Sequence, residues 1–291
     1  MPGPFGSGCR GYRRLSRGIV GERATARNGA ADRPGARYLG RMCGRFSLQT
    51  PVPDLAELFE ADPSRLSEWS ARYNVAPTDE VIAVRRGAGG RELVPLRWGL
   101  IPNWAEVPGS LPLMINARSE SLETRRAFRD LILDRRCAVL ADGFYEWRTE
   151  GGVKQPYFVR RRDGRPMALA GLWDTWRGAE GPVGSCTIVT TDANPLLEPL
   201  HDRMPVILEG EGAQMWLDLD ISERTMEPLK PFDTEALEVF AVSRRVNRVA
   251  VDDPACMEPL GAPIRGTEGW VRRPPPGEAP PDQLGLFPSP A

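Results

Sequence analysis

The sequence predicts an α+β fold, a single domain built on a mostly antiparallel, barrel-like β core with flanking helices. Three observations carry that expectation. Short apolar and β-branched runs follow one another with turn-rich joints, helical periodicity is confined to a few brief stretches, and no repeat or linker interrupts the pattern. With 291 residues, 41% of them hydrophobic, the chain has enough apolar material for one sizeable core.

The elements follow in order. Arg45–Leu48 reads as a short strand. Thr50 caps a helix over Val52–Glu60, with Pro51 in its first turn and Leu55, Leu58 and Phe59 on one face. Val81–Arg86 and Glu92–Trp98 form strands joined across Gly87, Gly89 and Gly90, a hairpin signal. Ser121–Asp134 has helical spacing, with Leu122, Phe128, Leu131 and Ile132 inward. Strands follow over Cys137–Trp147, Tyr157–Arg162, Met167–Trp173, Cys186–Thr191, Met204–Leu208 and Leu237–Ser243, with helices over Pro195–Leu200 and Gly212–Leu219. The folded body is expected over 42–271. The Gly-, Arg- and Ala-rich residues 1–41 and the Pro-rich residues 272–291 are expected to be disordered extensions.

The formal net charge of −1 hides an asymmetry. Residues 1–41 carry nine Arg against Glu22 and Asp32, a balance of +7, so the remainder sits at −8. A body that acidic is not a general polyanion binder, and any nucleic-acid site must be a local groove. The five cysteines are far apart, without a CxxC, and there is one histidine, so a structural zinc site is not expected. Sparse thiols fit a reducing cytoplasm. No apolar run reaches the length of a membrane span, and the basic N-terminus is not followed by the apolar stretch of a secretory signal. A Gly-rich phosphate loop, a dinucleotide fingerprint and a nucleophile elbow are all missing from the sequence.

Candidate chemistry begins at Met42-Cys43-Gly44-Arg45-Phe46, where the ordered pattern starts abruptly on a methionine. If translation begins at Met42, that residue is removable and Cys43 opens the chain. An α-amine has a pKa near ~8 against ~10.4 for lysine, so near neutrality it alone offers a useful unprotonated fraction. It can condense with an aldehyde to an imine, and the adjacent thiol can close a thiazolidine on the same carbon. Read alone, Cys43 fits a small buried strand residue as well, the commoner fate of a lone cysteine. His201, in His-Asp-Arg-Met-Pro, is the one candidate for a histidine proton shuttle. Glu146, in Asp-Gly-Phe-Tyr-Glu-Trp, is flanked by aromatics that would bury it and suit it to acid–base work; the alternative is a solvent-facing strand residue. Asn116, in Ile-Asn-Ala-Arg-Ser-Glu, offers a donor and an acceptor beside Arg118, or is an ordinary turn or cap. The turn Asn74-Val75-Ala76-Pro77-Thr78 and the segment Arg97–Trp104, with Trp98 and Trp104, read as contact surfaces on which unpaired bases could stack, although a strand tryptophan is more often core.

Taken in order, MCGRF, NVAPT, RWGLIPNW, INARSE, DGFYEW, AGLW with TIVTTDAN, and HDRMPVIL resemble the SOS-response-associated peptidase (SRAP) family of abasic-site processing proteins, from Met42 to about Met257. The resemblance implies covalent capture of abasic sites in single-stranded DNA by a thiazolidine at Cys43. Asn116 would orient the amine or the opened sugar, Glu146 would move protons, and His201 would help open the sugar. Arg45, Arg118 and Arg126 match phosphate-contacting positions, and Asn74, Pro77, Trp98 and Trp104 match the base- and sugar-contacting surface. It further implies a monomer acting in the cytoplasm at the nucleoid, with DNA carrying abasic sites as partner and no cofactor, metal or membrane; replication partners are unknown. One departure stands out: 42 residues precede Cys43, and a peptide nitrogen cannot form an imine. A start at Met42, or self-cleavage before Cys43, would expose the amine. Two other readings share these residues, an N-terminal-nucleophile amide hydrolase and a non-enzymatic reader of single-stranded or modified DNA.

Overall fold

The computed structural model describes residues 44–66, 69–217 and 223–270. The expectations for 1–41, for Cys43 and for 272–291 lie outside the described residues. In chain order the elements are β1 (Phe46–Leu48), α1 (Val52–Phe59), β2 (Ala61–Asp62), β3 (Arg72–Val75), β4 (Glu80–Gly87), β5 (Gly90–Trp98) and β6 (Asn116–Arg118). They continue with α2 (Leu131–Asp134), β7 (Arg136–Ala141), β8 (Gly143–Glu150), β9 (Val153–Arg161), β10 (Met167–Gly178) and β11 (Gly181–Asp192). The last are β12 (Arg203–Pro205), β13 (Ile207–Leu208), α3 (Gly210–Leu217) and β14 (Leu237–Ala241).

Five strands close into a barrel. β11, β10, β7, β4 and β5 pair antiparallel in that order, and β5 returns to β11 through a parallel pairing of Arg97 with Ser185 and Trp98 with Cys186. Closure removes the unpaired edges that an open sheet would leave. Ile82, Val84, Leu93, Val139, Leu169 and Ile188, one or two from each barrel strand, are fully buried in a single cluster. A second sheet, ordered β14-β9-β8-β1-β3, is antiparallel throughout. The α+β, barrel-like, mostly antiparallel architecture is therefore present, with short helices at its margin.

The strand expected over Cys137–Trp147 is two strands, one in each sheet, and Asp142 is the hinge. Its carboxylate accepts from Gln49 N–H at 2.6 Å, Thr50 N–H at 2.9 Å and Thr50 Oγ1 at 2.5 Å, tying the hinge to the end of β1. Thr50 is thus spent on Asp142, and Pro51, not Thr50, stands at the N-cap of α1 without a side-chain cap bond. Gly143 is required by close approach, because a Cβ there would lie 2.2 Å from Phe158 Cζ and 2.6 Å from Val159 O.

Two expected helices are not formed as such. Within 121–134 only Leu131–Asp134 is α-helical. Leu122, Phe128, Leu131 and Ile132 are nonetheless buried, so successive turns meet the same inward demand. Ser121 Oγ donates to Arg118 O and Thr124 Oγ1 to Ser121 O, local bonds that compete with a continuous helix. Residues 195–200 are turns, because Pro195 and Pro199 cannot donate and the bonds that remain run from Leu197, Glu198 and Leu200. The strand expected over Met204–Leu208 divides at Val206 into β12 and β13.

Candidate active site and nucleic-acid interface

Trp98 ends β5 and is fully buried. Its ring lies 5.1 Å from that of Phe46 in β1, and its Nε1 donates to Ile115 O at 3.0 Å, one residue before Asn116. Its backbone carbonyl accepts from Thr78 N–H at 2.8 Å, and its N–H donates to Asp79 O at 2.9 Å. One residue, through its side chain and its backbone N–H and carbonyl, thereby joins the strand after Cys43, the turn containing Pro77, and the strand that begins with Asn116. Gly99 follows with φ at +124°, and a Cβ there would sit 2.5 Å from Leu113 Cδ1, so the chain can leave Trp98 in this direction only as glycine.

The DGFYEW segment joins through register. Phe46 pairs with Phe144 and Ser47 with Gly143, and Tyr145 N–H donates to Arg45 O at 2.9 Å. Continuing that register sets Gly44 opposite Glu146, whose side chain is only 5% exposed. Tyr145 is buried with its hydroxyl on Tyr73 O at 2.6 Å, and burial pushes its pKa far above the ordinary phenol value.

His201 lies between the 195–200 turns and β12, half-buried. Asn116–Arg118 pairs with β11 on one side and β12 pairs with it on the other, and both Arg118 and Pro205 face Thr190. Burial lowers the His201 pKa, the neighbouring Arg118 and Arg203 cations lower it further, and Asp202 opposes them. Nδ1 lies 3.1 Å from Arg203 N–H and 2.7 Å from Asp202 Oδ1, two contacts that demand opposite protonation of the same nitrogen. The lowered pKa and the high exposure of the Asp202 side chain, 83%, favour the neutral ring that accepts from Arg203 and carries its proton on Nε2. Arg203, not anticipated from the sequence, is held by Glu120 at 2.7 and 2.9 Å, by Asp192 at 2.5 Å and by Thr190 O at 2.8 Å. Its signal was its place two residues after His201, where a strand begins.

The remaining expected residues divide sharply. Asn74 is 1% exposed, with Oδ1 accepting from Arg45 Nη1 at 2.8 Å and Nδ2 pointing at the carbonyls of Val246, Arg248 and Val251. Its carboxamide is committed to protein, and so is the Trp98 ring; neither presents a face to a base. Trp104, by contrast, is 40% exposed, and the exposed Arg126 lies 4.2 Å above its ring. Its loop is fixed by Asn103 N–H on Asp174 at 2.7 Å and Trp176 Nε1 on Ala105 O at 2.8 Å. Pro77 is partly exposed beside Thr78, whose φ of +80° is strained for a β-branched residue. Among the described residues no group of three or more His, Cys, Asp or Glu could hold a metal, and no helix is long and apolar enough to cross a membrane.

Comparison with known proteins matches the family model for the SOS response associated peptidase (SRAP) to residues 42–249. The chain belongs to the SRAP family. The abasic site processing protein YoqW of Bacillus subtilis is 37% identical over 226 residues, covering 75% of this chain and 99% of its own. The abasic site processing protein YedK of Escherichia coli is 35% identical over 228 residues, covering 75% of this chain and all of its own. A crystal structure of a protein from Bacteroides thetaiotaomicron superposes with a TM-score of 0.69 at 26% identity, over 75% of this chain and the whole of that one. The span matched by the SRAP family model contains the barrel, β1, β3, β8 and every candidate site residue.

Proposed function

We propose that this protein processes abasic sites in single-stranded DNA by capturing them covalently at Cys43, once that residue is the N-terminus. The observation that supports it most is the pairing of β1 with β8, extended by the bond from Tyr145 N–H to Arg45 O, which brings Arg45, two residues from Cys43, beside the neighbour of the buried Glu146. SRAP membership and the similarity to abasic site processing proteins support the same reading.

The chemistry runs in three steps. The abasic sugar is mostly a closed hemiacetal; His201 Nε2–H hydrogen-bonds the ring oxygen, and as the C–O bond breaks the proton of the anomeric hydroxyl passes through water to that oxygen, leaving the aldehyde exposed. The Cys43 amine then adds to the aldehyde carbon, Glu146 carries the proton from nitrogen to oxygen, and water leaves to give the imine. The thiol finally adds to the imine carbon, its proton passing to nitrogen, which closes the thiazolidine. Ring closure saturates the carbon that would otherwise promote β-elimination, so the strand is protected from cleavage. Asn116 orients the amine or the opened sugar. Arg118 and Arg126 hold phosphates, and Trp104 with Pro77 carries the bases. Trp98, Asn74 and Arg45 act by holding the strands and turns that aim these groups. Removal of Met42 from a chain started there, or self-cleavage before Cys43, supplies the free amine.

The test is a chain beginning at Met42, incubated with single-stranded DNA carrying one abasic site, resolved on a denaturing gel and weighed intact. A species equal to protein lacking Met42 plus DNA minus one water is expected, and Cys43→Ala abolishes it while non-covalent binding remains. Loss of Met42 with no adduct would overturn covalent capture and bring amide hydrolysis or non-covalent reading forward.

A further inference from the structure

We propose that the turn Arg244–Arg248 is a second phosphate-binding ridge, which grips the DNA strand beside β8, the strand that carries Glu146, whereas Arg118 lies on β6 against the other sheet. The inference rests on the reading of this protein as a binder of single-stranded abasic DNA.

The backbone of this turn is unusually well fixed for an exposed segment. Val246 is fully buried in a small apolar cluster with Tyr145, Phe158 and Cys256. The Val246 carbonyl accepts from Arg45 Nη1 at 2.9 Å and from Asn74 Nδ2 at 3.2 Å, and Asn74 Nδ2 also reaches Arg248 O at 3.1 Å and Val251 O at 2.7 Å. Ser243 Oγ accepts from Arg245 N–H at the start of the turn. The motif asparagine and the arginine two residues from Cys43 are thus devoted to holding this backbone in place. On the other flank, Trp147 Nε1, next to Glu146, donates to Asn247 Oδ1 at 2.7 Å.

The charges on the ridge are not balanced. Asp252 is neutralised by Arg72 and also accepts from the N–H groups of Tyr73 and Asn74. Asp253 pairs with Arg245 at 2.7 Å. Arg244 and Arg248 are exposed, and among the described residues neither guanidinium group has a hydrogen bond or an ion pair. Residues 42–291 carry a net −8, and most of the body's other arginines near this site are bound to carboxylates or carbonyls. Two unpaired guanidinium groups on a braced turn, tied to Arg45 on one side and to the residue after Glu146 on the other, suit consecutive phosphates of a strand leaving the site.

The experiment measures equilibrium binding by the full chain carrying Cys43→Ala, across a salt series. Three oligonucleotides are used, one with single-stranded flanks on both sides of an abasic site and two lacking one flank each. In the Arg244→Gln/Arg248→Gln background the salt slope on the two-flank oligonucleotide should fall by about 1.4, two contacts at about 0.7 each for single strands. One of the one-flank oligonucleotides should show no change, and lysine at both positions should restore the slope. Because both side chains are exposed and unpartnered, the thermal midpoint should be unaltered. An unchanged slope on all three oligonucleotides, or an equal fall on all three, overturns the ridge. Crosslinking by a Met42-initiated chain with wild-type Cys43 is run on the same oligonucleotides. Its failure would overturn the underlying reading, whereas intact crosslinking with an unchanged slope would overturn the ridge alone.

Discussion

The two ends of one short segment, Arg97–Trp104, meet opposite fates. Trp98 is fully buried, touches Phe46 and donates to Ile115 O, while six residues on Trp104 stands 40% exposed under Arg126. The same residue type serves as a brace at one end and as an open platform at the other. What separates them is the backbone: Trp98 closes a barrel strand that pairs with Cys186, and Gly99 turns the chain out of the sheet. A site of this kind needs both regions, a locked one to fix geometry and an open one to meet the ligand. Substitutions should therefore sort by region, with stability lost at one and affinity at the other.

The largest effect is expected at the brace. Trp98→Ala removes a fully buried ring and the partner of Ile115 O, and should cost about 3–5 kcal/mol of folding stability, a large share of what a domain has. Chemical denaturation checks this through the midpoint. A variant that kept its midpoint but lost DNA binding would place Trp98 in the open region and break the comparison.

That division was only partly legible in the sequence. The glycines at 87, 89 and 90 announced the β4–β5 hairpin, and the apolar spacing of Leu122, Phe128, Leu131 and Ile132 identified the inward face of 121–134 correctly. The helix itself did not follow, because hydrophobic spacing is satisfied equally by linked turns once Ser121 and Thr124 bond locally. The division of 137–147 was hidden because Asp142 interrupts one nearly continuous apolar run and its partners, Gln49 and Thr50, are over ninety positions away. Asn74 reads from the sequence as a contact residue, and its type alone does not reveal that three distant carbonyls surround it. At the site, motif order carried the information, while burial and register separated side chains committed to the protein, such as Asn74 and Trp98, from exposed ones such as Trp104.

At the open end, Trp104→Ala should leave the denaturation midpoint nearly unchanged and weaken non-covalent binding to single-stranded DNA by about 1–3 kcal/mol, roughly five- to 150-fold. Trp104→Phe should recover most of the loss, because stacking needs a ring and not an indole N–H. Fluorescence anisotropy with the Cys43→Ala chain measures this free of the covalent step. Equal affinity for Trp104→Ala and its parent would remove the stacking platform from the proposal and leave Arg126 as a phosphate contact only.

The smallest effect lies between the two regions, at half-buried His201. Burial is the main cause of its lowered pKa, with Arg118 and Arg203 adding to it and Asp202 opposing. The sign follows from that direction. A histidine with a depressed folded pKa contributes stability that is fully present above its ordinary value of 6.5 and is lost as pH falls through the folded value. Because the chain holds one histidine, its imidazole proton resonances can be followed without assignment. They should titrate below 6.5, so that the neutral ring with its proton on Nε2 prevails near neutrality. Arg118→Gln removes a cation and should move the midpoint upward, while Asp202→Asn removes the opposing carboxylate and should move it downward, each by less than about one unit. The Asp202 step should be the larger, since that carboxylate lies 2.7 Å from Nδ1 and outweighs the exposed Arg118 among the charges acting on the ring. A downward move of well over one unit in Asp202→Asn would reverse the assignment of Nδ1, making it a donor to the carboxylate instead of an acceptor from Arg203 N–H, and Nε2–H would no longer be the hydrogen-bond donor to the opening sugar.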